Sequence, residues 1–177
     1  MRSALLLGLC LMLASSAQAQ PVGETSGFNA TLGIAPKTGD FVSEAAASDM
    51  FELQASKLAA ERTTGDVQAF ANQMLTDHTK TTSELNGLAK DAKISLPLTM
   101  TGAGQSMLTT LNGLQGQEFA KDYMDDQVSA HKKAVSLFER YAKSGDNAPL
   151  KEWASRTLPT LQHHLDMAEK IYGKMQP

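Results

Sequence analysis

From residue 40 to 172 apolar residues recur at steps of three and four, the period of an α-helix, and nowhere in the two-residue rhythm of a strand. In the first stretch Phe41, Ala45, Ser48, Glu52, Ala55 and Ala59 share one row, with Val42, Ala46, Asp49 and Leu53 beside it. Asp40 is its expected N-cap. Thr63-Thr64-Gly65-Asp66 breaks the pattern and restarts it. The second stripe carries Val67, Phe70, Met74, His78, Thr81, Leu85 and Leu88. Pro97, Gly102 and Gly104 make Ile94 to Gly104 a loop. A short helix with Met107, Leu108, Leu111 and Leu114 follows, and Gly113 and Gly116 mark a bend.

The third long helix is expected from Glu118 to Lys143, with Phe119, Tyr123, Gln127, His131, Ala134 and Phe138 on its stripe. Lys143-Ser144-Gly145 reads as a stop, and Asp146-Asn147-Ala148-Pro149 as the next start. The fourth helix carries Leu150, Trp153, Leu158, Leu161, His164, Leu165, Ala168 and Ile171. Pro159 lies inside it, removing one amide donor and predicting a kink. Four long helices, with a short extra helix between the second and third, predict an all-α, up-and-down four-helix bundle over residues 39–177.

The N-terminus changes the picture of compartment. Arg2, the apolar run Leu5 to Ala14, and Ala17-Gln18-Ala19 predict a signal peptide over residues 1–19, cleaved after Ala19, and a periplasmic protein. The run is too short to span a bilayer. Cys10 follows Leu9 inside this run, which does not suit lipidation. Residues 20–38, rich in Gly, Thr, Ser and Asn, predict a flexible leader. Without the signal the chain has no cysteine, hence no disulfide and no thiolate ligand. Arg2 leaves with it, so a formal charge of −3 becomes −4. That charge speaks against nucleic acid and anionic lipid as partners. A protein or an envelope component stays open.

Three histidines carry the candidate chemistry. His78, His131 and His164 sit on the stripes of three different helices, and facing helices of a bundle can build a metal site from such side chains. Imidazole suits transition metals, and Glu52 or Asp49 could add an oxygen. The competing reading is three core imidazoles hydrogen-bonded across the bundle. The lack of a spacing motif favours the second reading, and helical pitch could put the three rings at different heights. The residues three positions before His78, His131, His163 and His164 are Leu75, Val128, Thr160 and Leu161, so the Glu-x-x-His pair of di-iron carboxylate sites is missing. Asp77, adjacent to His78, points about 100° away around the helix. His163 and His164 point apart and do not suit one shared ion. Met74 and His78, four apart, could hold copper(I), but methionine more often fills core gaps. No nucleophile motif stands out, so a non-enzymatic role is expected.

These residues resemble a known family. Asp40-Phe41-Val42 with Asp49-Met50-Phe51-Glu52, Phe70 to His78 with Leu96-Pro97, Gly116 to Phe119 with Tyr123, Gln127 and His131, and Leu158 to Leu161 with His164-Leu165 are similar, in order, to the motifs of domain-of-unknown-function family 4142. The resemblance implies an exported bacterial ferritin-like bundle and directs attention to Asp77, His78, Gln127, His131 and His164. It supplies no reaction. Some members carry an outer-membrane label, for which this sequence offers neither barrel strands nor an anchor.

Overall fold

The computed structural model describes residues 28–176, so the expected signal peptide and residues 20–27 of the expected leader lie outside the described residues. The described chain is helical throughout: α1 (Phe28–Thr31), α2 (Thr38–Arg62), α3 (Gly65–Asp91), α4 (Gly102–Gly113), α5 (Gly116–Ser144) and α6 (Ala148–Gly173). Local chemistry explains most boundaries. The side chain of Asn147 accepts from the Leu150 amide at 3.1 Å and starts α6, and Thr101 does the same for α4 through Gly104. Asp40 is not the cap of α2: the helix begins two residues earlier, with Lys37 at the cap position. Asp40 instead occupies the first turn, where its charge opposes the positive end of the helix dipole.

The end of α3 is a Schellman turn. The amide of Ile94 donates to the Ala89 carbonyl at 2.9 Å and that of Lys93 to the Lys90 carbonyl at 3.1 Å. Lys93 takes the left-handed conformation, φ +58°, usually given to glycine there. α5 stops at Gly145 for a packing reason as well: a Cβ there would lie 2.6 Å from the Tyr141 carbonyl oxygen. α6 runs unbroken through Pro159, which lies on the exposed side.

α2 packs along α3, and α5 along α6, as two helical hairpins. The hairpins meet through α2 against α5 and α3 against α6, and α4 lies over α2 and α5. Two apolar clusters result. One gathers Phe41, Val42, Leu85, Phe138, Tyr141 and Trp153. Within it Phe41 stacks on Tyr141 with centroids 3.9 Å apart, and the Trp153 indole donates to Glu84 at 2.8 Å. The other gathers Phe51, Phe70, Met74, Leu111, Phe119 and Tyr123. Met74 is therefore a core filler. Ahead of α2, the Ile34 carbonyl accepts from Arg140 at 2.7 Å, and Thr38 bonds the Tyr141 hydroxyl at 2.6 Å and the carboxylate of Asp146.

Position along each long helix separates the two clusters. Asp49 on α2, Asp77 and His78 on α3, Gln127 and His131 on α5, and His164 on α6 all fall between the residues of one cluster and those of the other, and Glu52, one residue past Phe51, lies at the edge of the second. The interior is thus layered: apolar, polar, apolar. Among the described residues no helix is long and apolar enough to cross a membrane.

Candidate functional site

The polar layer brings together three of the four residues singled out as metal ligands. The rings of His78, His131 and His164 have centroids 5.4 to 5.7 Å apart. One ligand atom from each lies within 4.8 Å of the others. All three side chains are buried, at 4 %, 1 % and 1 % exposure. Antiparallel neighbours reverse the chain direction, so residues far apart in sequence reach one height, and the pitch problem does not arise.

Each ring has two faces of chemistry. His78 Nδ1 donates to Asp49 Oδ1 at 2.7 Å, and Asp49 Oδ2 accepts from Thr81 at 2.9 Å and Thr82 at 3.0 Å. His164 Nε2 donates to Asp77 Oδ2 at 2.8 Å, which also accepts from Gln73 Nε2 at 2.6 Å. His131 Nδ1 donates to the Gln127 carbonyl at 3.0 Å. Because these partners are acceptors, the bonded nitrogen carries the hydrogen and the other presents its lone pair. Those others are His78 Nε2, His131 Nε2 and His164 Nδ1. They are buried with no hydrogen-bond partner among the described residues, as is Gln127 Oε1. An unpartnered buried polar atom is costly, about 1–3 kcal/mol, and three on neighbouring rings call for a shared ligand or function.

Glu52 stands apart from the converging atoms. Its Oε1 lies 3.9 Å from His131 Nδ1, behind that ring, and its Oε2 accepts from Gln127 Nε2 at 2.7 Å. Asp49 likewise backs His78. His163 is exposed, and Asp122 lies on the surface.

The electrostatics divide the layer. Burial opposes charge on His78, but the Asp49 hydrogen bond and the charges of Glu52, Asp49 and Asp77 raise its pKa above the ordinary value. Burial and the neighbouring His78 press His131 down to about 4. Burial also takes His164 down to about 4, despite its Asp77 hydrogen bond. Burial pushes Glu52 up to about 7, against the pull of His78 and Gln127. For Asp77 burial works upward, yet the hydrogen bonds from Gln73 and His164 leave its pKa lowered. Two imidazoles are thus held neutral, as metal ligation requires.

Three imidazole nitrogens, each ring anchored from behind by a carboxylate or carbonyl, form an arrangement that can hold a transition-metal ion. Bond lengths of about 2.0–2.1 Å put tetrahedral nitrogens roughly 3.4 Å apart, so small ring rotations would close the triad. Sequence reasoning missed Gln73, Thr81 and Thr82, which orient the two aspartates. Asp77 was singled out only by the family resemblance; the turn of about 100° that takes it off the stripe of His78 aims it at His164 on α6.

The chain belongs to the family described as domain of unknown function DUF4142, which it matches over residues 23–171. No curated protein and no solved structure matches it.

Proposed function

We propose that this protein is an exported, periplasmic, ferritin-like four-helix bundle that binds one transition-metal ion in its core, through His78 Nε2, His131 Nε2 and His164 Nδ1. Two observations support this together: each of the three rings offers a ligand atom within 4.8 Å of the others, and each ring has one buried nitrogen without a partner while its opposite nitrogen is hydrogen-bonded. Neutral imidazoles without thiolate suit Zn²⁺, Cu²⁺, Ni²⁺ or Fe²⁺ rather than Mg²⁺ or Ca²⁺. Asp49, Asp77 and Glu52 supply negative charge one shell out. The donors are enclosed, which favours holding or carrying a metal over catalysis, since a catalytic site keeps a position open to substrate.

The test is calorimetric titration of Zn²⁺, Cu²⁺ and Fe²⁺ into protein prepared from the periplasm, whose intact mass should begin at Gln20. We expect one equivalent bound with submicromolar affinity, lost in His131→Ala and in His164→Ala. Asp77→Asn should weaken binding about 10–100-fold, as loss of an outer-shell partner does. Variants that lose stability, from a wild type that binds no metal, would instead make the imidazoles hydrogen-bonding groups of the core. A mass that retains residues 1–19 would sink the export proposal.

A further inference from the structure

An open groove of about 570 Å³ runs between α3 and α6. Phe70, Gln73, His163 and Met167 line it, and the Asp66–Lys174 ion pair, 2.6 Å, spans one end. At the other end Gln73 donates to Asp77, and Asp77 accepts from His164. A hydrogen-bonded chain therefore leads from the groove to the histidine layer. Asp77 is also the most open of the carboxylates that touch a histidine: its side chain is 25 % exposed, against 12 % for Asp49 and 2 % for Glu52. His163 neighbours His164 in sequence but points about 100° away. One imidazole faces the groove while the next faces the core.

We propose that the α3–α6 groove is the port through which a hydrated divalent transition-metal ion is loaded, with Asp77 and His163 as its first ligands. The inference rests on the core metal site proposed above. A carboxylate and an exposed imidazole suit such an ion. When Asp77 turns to the ion it releases the His164 Nε2–H, and the freed ring can swing so that the Nδ1 lone pair takes the ion and carries it inward, with Nε2 keeping its hydrogen. Lys170 and Lys174 lie toward the Asp66 end, so a cation approaches at the Gln73–His163 end. The alternative way in is a smaller groove of about 190 Å³ between α2 and α3, which reaches Asp49 beneath Leu96 and Pro97.

Uptake of Co²⁺, followed by stopped-flow absorbance, tests the port separately from the site. In the protein beginning at Gln20, which has no cysteine of its own, Ala69→Cys places a thiol in the α3–α6 groove and Asn86→Cys one in the α2–α3 groove, and each is capped with a bulky maleimide. We expect the Ala69→Cys label and His163→Ala each to slow uptake about tenfold or more, a barrier rise of about 1.4 kcal/mol. Equilibrium affinity for Co²⁺ should stay at the wild-type value, and the Asn86→Cys label should leave the rate unchanged. The port is overturned if the Ala69→Cys label slows uptake no more than the Asn86→Cys label, or if His163→Ala loads at the wild-type rate. A wild type with no equilibrium Co²⁺ binding overturns the site itself and the port with it, and the affinity measurement alone reads that outcome.

Discussion

At the scale of single residues, the histidine layer has consequences for stability that do not depend on metal. His131 and His164 have folded pKa values of about 4, below the ordinary 6.5. The unfolded chain therefore takes up protons first, and stability that is full above pH 6.5 is lost as pH falls toward 4. Glu52 acts oppositely: its folded pKa, about 7, lies above the ordinary 4.5. Its contribution is best below pH 4.5 and is lost as pH rises through 7. His78, with its pKa raised, contributes fully below 6.5 and adds no slope there, and Asp77 adds loss only at lower pH. Between pH 6.5 and 4.5 two histidines are set against Glu52 and, discounted for its exposure, the half-buried Asp126, which burial and the charges of Asp122 and Asp125 raise to about 6, so metal-free protein should lose stability on acidification by about 1 kcal/mol. Urea midpoints across pH 7 to 4, in chelator, check this. Glu52→Gln removes the opposing group and should steepen the fall over pH 6.5 to 4.5. A flat profile in both proteins would contradict the burial of neutral imidazoles.

At the scale of elements, the helices were legible because their signals are local. The Asn147 cap and the stop at Gly145 appear in the structure where the sequence puts them, and the loop around Pro97 is present but ends at Thr101, so Gly102 and Gly104, expected in the loop, form the first turn of α4. Asp40 misled because Asp suits both the cap and the first turn, and the Thr38 hydroxyl is engaged with Tyr141 and Asp146 across the fold. The end of α3 offers a clean test. Lys93 holds a left-handed conformation that costs a non-glycine residue about 1 kcal/mol. Lys93→Gly should therefore stabilise the protein by up to about 1 kcal/mol, offset in part by the freer unfolded chain. A lower urea midpoint for this variant would show that the lysine side chain contributes more than the strain costs.

At the scale of the molecule, the polar layer joins α3, α5 and α6 directly and α2 through Asp49 and Glu52. A metal held there ties both hairpins together, so it should stabilise the whole bundle rather than one helix. Free metal at 100 times Kd is worth about 2.7 kcal/mol to a protein that binds only when folded. The thermal midpoint of wild type should rise with added Zn²⁺ in one cooperative transition, while that of His131→Ala should not. A rise of equal size in His131→Ala would place the stabilising metal elsewhere.

The sequence by itself determined the helical class, the order of the four long helices, the short helix between the second and third, and the family. Each of these rests on periodicity, capping or linear motifs, which need only neighbours along the chain. It also determined that Glu-x-x-His is absent. The tertiary structure decided what the histidines do together. Their spacing in sequence is tens of residues, and whether His78, His131 and His164 share a height depends on how two antiparallel hairpins slide against each other. The same packing set Glu52 behind His131 instead of among the converging nitrogens, and aimed Asp77 across the α3–α6 seam at His164. Register between helices is fixed by the interlocking of large side chains such as Phe41, Tyr141, Phe70 and Tyr123 at the two ends. No spacing along one chain encodes it.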